Sequence, residues 1–95
     1  MSPEWIIVEP WGRLGIKDWD GHVFMHCQIE RWSLTVRKAC DAKFDEFKQE
    51  MKRRGVRVLY SAVPIGDTKT RKWQVMFGQR HIKSSEDLAL YAQEI

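Results

Sequence analysis

Five side chains of the sequence could bind a metal ion through an imidazole nitrogen or a thiolate sulfur: His22, His26, Cys27, Cys40 and His81. Residues 22–29 alternate between apolar and mixed side chains, which is typical of a β-strand. In such a strand His22 and His26 point to one face and Cys27 points to the other, so they do not form a compact zinc site. We therefore predict no metal site and interpret both cysteines as buried thiols, because nothing in the sequence indicates an oxidising compartment.

Positive charge is concentrated in the middle of this 95-residue chain. The net charge is +3, but residues 33–59 and residues 60–83 each carry +4, while both ends of the chain are acidic. A basic region can bind nucleic acid, phosphate groups or an acidic protein surface. The nearby aromatic residues Phe44, Phe47 and Trp73 fall on apolar helical stripes, so they are not placed to stack on bases. The pattern favours a solvated face, and we do not expect nucleic-acid binding.

The first third of the chain has the residue types of β-strands. Residues 5–9 are β-branched and aromatic and are followed by Pro10, which ends a strand. A short strand is expected near residues 14–19, and Asp20-Gly21 is a strong hairpin signal before the alternating residues 22–29.

A long helix follows, capped by Ser33 or Thr35 and ended by Gly55. Its apolar stripe has a spacing of three or four residues and consists of Val36, Cys40, Phe44, Phe47 and Met51. Residues 56–63 form the next strand, so the unit is a strand–helix–strand crossover with parallel strands. A second helix is expected from about residue 67 to Gly78.

The tail has two interpretations. Ser84 and Asp87 can form a capping box for a helix over residues 84–95. The same residues can form a hairpin with strands at residues 79–83 and 88–93. The local pattern alone slightly favours the helix.

The order of these elements resembles the C-terminal two-thirds of a GNAT-type acyl-CoA N-acyltransferase, over residues 15–95. The stretches that carry the resemblance are residues 54–60 (helix to strand), residues 71–78 (a short helix ending in Phe-Gly) and residues 88–92 (a last strand). The resemblance implies an α+β fold: a GNAT-like mixed β-sheet with one long and one short helix, and a hairpin tail. It implies a single domain over residues 1–95, with residues 1–14 as an N-terminal extension. This shortened set of elements is similar to that of small phage-encoded members of the GNAT family.

The same resemblance indicates where acetyl-CoA would bind. Family enzymes hold the pyrophosphate in a glycine-rich loop before the long helix, where backbone N–H groups approach phosphate. Residues 35–40 occupy that stretch and contain no glycine. Val36, Arg37 and Lys38 are the cofactor-binding candidates, with the two basic side chains as the phosphate contacts. Because the glycine-rich backbone cradle is missing, we expect the protein to bind no cofactor. If the protein is active, its cofactor is acetyl-CoA.

Catalytic candidates also follow from the resemblance. His26 and Glu30 are candidates for the general base that accepts a proton from an incoming amine. Tyr60 or Tyr91 is a candidate for the general acid toward a leaving thiolate. Each of them can equally be a structural residue.

Two tryptophans, Trp11 and Trp19, lie among turn-forming residues, and we predict that both bind a protein partner. A truncated sheet also leaves an edge strand that could pair with a second copy, so a homodimer is possible. No secretory signal or membrane-spanning run is visible, so we expect the protein in the cytoplasm, the host's if it is phage-encoded.

The leading hypothesis is a degenerate, non-catalytic GNAT-like protein that acts by protein–protein contact, for example with a host or virion factor. The alternative is an acetyl-CoA-dependent N-acetyltransferase with an unknown amine acceptor.

Overall fold

A six-stranded mixed sheet and two helices make up the computed structural model, which describes residues 3–30 and 32–95. The strand order across the sheet is β1-β2-β3-β4-β6-β5. The elements in chain order are β1 (Glu4–Glu9), β2 (Gly12–Trp19), β3 (His22–Ile29), α1 (Leu34–Arg53), β4 (Val58–Pro64), α2 (Thr68–Met76), β5 (Arg80–Ser84) and β6 (Leu88–Glu94).

The first three strands form an antiparallel meander, as their residue types predict. The turn between β2 and β3 is made by Asp20 and Gly21, whose φ angles of 52° and 80° are those of a tight hairpin turn. This turn pairs Trp19 with His22. β1 pairs with β2 through an irregular register between Trp5 and Ile7.

The predicted long helix is α1, and its cap is Ser33 rather than Thr35. The Ser33 Oγ accepts a hydrogen bond from the Val36 N–H at 3.1 Å. Gly55 follows the helix with φ 84°, a conformation that favours glycine. The crossover then enters β4, which lies parallel to β3 with Phe24 opposite Tyr60. The prediction of parallel strands is confirmed.

The tail is a hairpin, so the helix that the local pattern favours there is wrong and the hairpin that the resemblance implies is confirmed. β6 is inserted between β4 and β5 and pairs antiparallel with both. Pairing on two sides outweighs a local capping signal, because strand stability comes mainly from neighbouring strands. Ser85 instead stabilises the turn between β5 and β6, because its Oγ accepts a hydrogen bond from the Leu88 N–H at 3.1 Å.

Both helices pack on one face of the sheet. Phe77, at the end of α2, contacts Phe44 of α1 with ring centroids 5.2 Å apart. The core between the helices and the sheet consists of Leu14, Met25, Phe44, Phe47, Met51 and Leu59. We call this side of the sheet the covered face.

The opposite side, which we call the uncovered face, has neither helix against it. Strand alternation assigns to it Lys17, Trp19, Phe24, His26, Tyr60, Ala62, Leu88 and Leu90. The aromatic rings of Phe24 and Tyr60 lie 5.7 Å apart on this face. One face of the sheet is therefore a core, and the other meets solvent with aromatic and aliphatic side chains.

Candidate functional site

The structure places three of the four catalytic candidates, His26, Glu30 and Tyr91, in three different environments. His26 is half-buried on the uncovered face, where burial and the charge of Lys17 lower its pKa. Tyr91 lies on the covered face and is only 2 % exposed. Glu30 is exposed beyond the end of β3. No common reaction centre results from these positions.

The contacts of Tyr91 are those of a residue that holds the fold together. Its phenolic oxygen accepts a hydrogen bond from the Arg71 Nε at 3.1 Å, and its ring lies 5.3 Å from that of His81. Arg71 also donates to the Ile65 carbonyl at 3.1 Å, which ties α2 to the end of β4. Tyr60, the other candidate acid, belongs to the aromatic group of the uncovered face.

The N-terminus of α1 is the region where the resemblance expects a pyrophosphate. There the Ser33 Oγ already accepts the Val36 N–H, and the Arg37 N–H bonds the Ser33 carbonyl at 2.9 Å. Arg37 and Lys38 are exposed, and Val36 is half-buried.

Two further features surround that helix end. Trp32 packs on Trp73 of α2, with ring centroids 4.1 Å apart, and on Phe77. On the other side, Val36 lines a surface cavity of about 720 Å³ whose charged lining residues are Glu9, Glu30 and Arg13. Aromatic packing and nearby carboxylates, together with the absence of glycine, do not fit a pyrophosphate cradle.

A second cavity, which we call the Trp19 cavity, opens on the uncovered face with a volume of about 630 Å³. Phe24 from β3, Ala62 from β4 and Leu90 from β6 are among its lining side chains. Trp19 and Leu88 line it as well, and they are 66 % and 44 % exposed. Its volume is within the range of about 300–1,000 Å³ that binding pockets usually have.

The charged lining of the Trp19 cavity is basic. Lys17 and Lys83 line it together with His26, and no carboxylate of the described residues does. Within residues 3–30 and 32–95, neither lysine forms an ion pair, since the ion-paired cations are Lys43, Lys48, Arg53 and Arg54. The cavity therefore presents positive charge around an apolar interior.

The two predicted partner-binding tryptophans lie at opposite ends of β2. Trp11 is half-buried in the turn before the strand, and Trp19 is its last residue. At about 3.3 Å per residue their backbones are roughly 25 Å apart. Only Trp19 borders the Trp19 cavity; Trp11 lines the cavity that contains Glu9 and Glu30.

Both cysteines are free thiols; Cys40 is buried as predicted, whereas Cys27 is half-buried. Burial raises the pKa of Cys27 to about 12 and that of Cys40 to about 11. Among the described residues, no group of three or more histidine, cysteine, aspartate or glutamate side chains is arranged to bind a metal ion.

Comparison with known proteins identifies the architecture. No protein-family model matches the sequence, and no curated protein is significantly similar to it. A GNAT-family acetyltransferase from Bacillus anthracis has a TM-score of 0.68 at 12 % identity, covering 87 % of this chain and 57 % of that one. An acetyltransferase of the GNAT family from Listeria monocytogenes 4b F2365 has a TM-score of 0.62 at 13 % identity, covering 88 % and 57 %.

The chain has a GNAT-like fold. The predicted fold class, a mixed sheet with one long and one short helix, is confirmed. At these identities the likeness establishes the fold and no activity. The GNAT-like chain spans about 57 % of the length of each of these two structures.

Sequence reasoning missed the two lysines and the leucines of the Trp19 cavity. The alternation of residues 22–29 showed that one strand face was mixed, which was the available signal. It did not show that this face stays uncovered, because that depends on both helices packing on the other side. Lys17 and Lys83 line the same cavity only because of the β5–β6 hairpin, which the local pattern did not favour.

Neither helix of the described chain is both long enough and apolar enough to cross a bilayer.

Proposed function

We propose that this chain is a non-catalytic GNAT-like protein that works in the cytoplasm by binding another protein through its uncovered face. The observation that carries the proposal is the exposure of aromatic and aliphatic side chains on that face, above all Trp19 at 66 %. Exposed apolar surface of this kind is typical of binding surfaces, and tryptophan is a frequent anchor in them. The resemblance to phage-encoded members makes a host or virion protein part of the proposal.

The arrangement at α1 supports the non-catalytic half of the proposal. The Val36 N–H is bonded to Ser33, and Glu9 and Glu30 lie in the neighbouring cavity. Of the two candidate acids, Tyr91 projects from the face opposite the candidate base His26, whereas Tyr60 shares the uncovered face with it.

The first test is a calorimetric titration of the purified protein with acetyl-CoA. We expect no binding heat at millimolar cofactor. Micromolar binding would overturn the non-catalytic half of the proposal.

The second test locates the partner surface in cells that contain the natural partner. A photoreactive amino acid replaces Trp19 in one variant and Val75 in a control variant. Val75 is 58 % exposed on α2, on the other side of the sheet. We expect a discrete cross-linked product from position 19 and none from position 75. Equal products from both, or none from position 19, would contradict the proposed surface.

One observation favours the alternative, an acetyl-CoA-dependent N-acetyltransferase with an unknown amine acceptor. Trp32 Nε1, Ser61 Oγ and Gln74 Oε1 are buried and have no hydrogen-bond partner within residues 3–30 and 32–95. Buried polar atoms usually have partners, so a polar ligand or ordered water on the covered side would satisfy them. The alternative predicts micromolar binding in the same titration, weakened by Arg37→Ala and Lys38→Ala.

A further inference from the structure

The lining of the Trp19 cavity comes from the β2–β3 hairpin, from β4 and from the β5–β6 hairpin. The end of the β2–β3 hairpin supplies Trp19, and the β5–β6 hairpin supplies Lys83 and Leu88. Phe24 and Ala62 line it between them. Because the lining comes from regular strands and their hairpins, the site is held by backbone pairing rather than by a long loop.

The lining divides into an apolar part and a basic part. Apart from Lys17, His26, Lys83 and two serines, the lining residues are apolar: Trp19, Phe24, Met25, Ala62, Leu88 and Leu90. The two serine hydroxyls already have partners within their hairpin, since Ser84 bonds His81 and Ser85 bonds Leu88. An occupant therefore meets apolar surface inside and the two lysines as its main charged contacts.

This charge pattern selects among occupants. An amine or a basic segment would bring positive charge against Lys17 and Lys83, and none of the described lining residues is a carboxylate that could offset it. A second copy of the chain in a two-fold contact through this cavity would place the lysines of each copy near those of the other. An occupant with carboxylates gains favourable charge contacts instead.

The exposed apolar rim favours a protein segment. Trp19 stays largely exposed and Leu88 is 44 % exposed although both border the cavity, and Tyr60 and His22 continue the aromatic surface beside it. An extended segment can fill the cavity with one side chain and cover the neighbouring surface with the rest.

We infer that the uncovered face binds an acidic segment of a partner protein, which places a bulky apolar side chain in the Trp19 cavity and carboxylates against Lys17 and Lys83. The inference rests on the proposed function and adds the chemistry of the partner. It predicts that recognition depends on charge at these two positions and on apolar contact at Trp19.

The test selects ligands from a random peptide library displayed on yeast, using the full chain as bait. We expect the recovered peptides to combine aspartate or glutamate with at least one large apolar residue. One recovered peptide is then synthesised and its affinity is measured by fluorescence anisotropy at several salt concentrations. Added salt should weaken its binding, because part of the attraction is between charges.

Matched variants separate this site from the overall basic charge. Lys17→Gln with Lys83→Gln removes two charges at the cavity, and Lys52→Gln with Lys72→Gln removes two exposed charges from the helices on the other side. Exposed ion pairs each contribute little, so we expect the first double variant to bind about tenfold more weakly and the second to bind nearly as wild type. Trp19→Ser should weaken binding further without unfolding the domain, because Trp19 is largely exposed.

Several results would overturn the inference. These are recovery of basic or uncharged peptides, absence of any enriched peptide, or equal loss of affinity in both double variants. Sedimentation showing a dimer that Trp19→Ser dissociates would assign the face to a second copy. If cross-linking from position 19 finds a partner that the Lys17→Gln and Lys83→Gln variant binds equally well, the proposed function stands and the acidic chemistry is wrong.

Discussion

Replacement of Gly15 by alanine should destabilise the protein through a steric clash between β1 and β2. Gly15 lies opposite Trp5 in the β1–β2 pairing. A Cβ at Gly15 would come within 2.6 Å of the Glu4 carbonyl oxygen and within 2.8 Å of Trp5 Cε3. The first contact is with backbone, so it can be relieved only by moving β1 away from β2.

The size of the effect follows from comparable overpacking. Forcing an extra methyl group into a packed site costs about 1–3 kcal/mol. For a domain of this size, each kcal/mol lowers the melting temperature by about 4–8 °C. We therefore expect Gly15→Ala to melt at least several degrees below the wild type in circular dichroism.

Gly66→Ala is the matched control. A Cβ at Gly66 would meet nothing within 4 Å, and the residue does not have a positive φ. Loss of glycine flexibility from the unfolded chain should leave this variant as stable as the wild type or more stable by up to about 1 kcal/mol. If Gly15→Ala melts with the wild type and with Gly66→Ala, Trp5 does not pack on Gly15 and the β1–β2 register is wrong.

Two further predictions concern titration. The hydrogen bonds from Arg53 and Arg54 lower the pKa of Glu50 to about 2, from an ordinary value of 4.5. The stabilising contribution of the Glu50 carboxylate is therefore complete above about pH 4.5 and is lost as the pH falls toward 2. Glu50→Gln should make the free energy of urea unfolding depend less on pH in this range. An unchanged pH dependence would contradict the pairing of Glu50 with Arg53 and Arg54. The raised pKa values of Cys27 and Cys40 predict that both thiols react slowly with a disulfide reagent at pH 8 until urea unfolds the chain. Fast reaction in the native state would contradict the burial of Cys40 and the partial burial of Cys27.

The parts of the fold that the sequence predicts are those with their own local signal. The spacing predicts an apolar stripe of Val36, Cys40, Phe44, Phe47 and Met51; the last four are the buried residues of α1, and Val36 at its start is half-buried. The alternation of residues 22–29 likewise predicts β3. Over residues 84–95 the local signal misleads, because a capping box competes with strand pairing that only the assembled sheet supplies.

The candidate site is less predictable because its residues are distant in the sequence. Trp19 could be singled out from its turn-forming neighbours, and the structure does expose it. The same reasoning selected Trp11, which lies at the far end of β2. Lys17 and Lys83 carry no local mark of a shared site, since their place in one cavity lining depends on where β6 enters the sheet.

The parallel contact between Phe24 and Tyr60 has a mechanical consequence. It joins a half made of β1, β2 and β3 to a half made of β4, β5 and β6, and all strand pairs within each half are antiparallel. Local opening should follow this joint, so amide hydrogens of β3 and β4 that face each other should exchange with solvent before those paired within either half. The Trp19 cavity lies across the joint, with Trp19 and Phe24 on one half and Leu88 and Leu90 on the other. A bound segment that fills the cavity would contact both halves and so slow their separation at this joint.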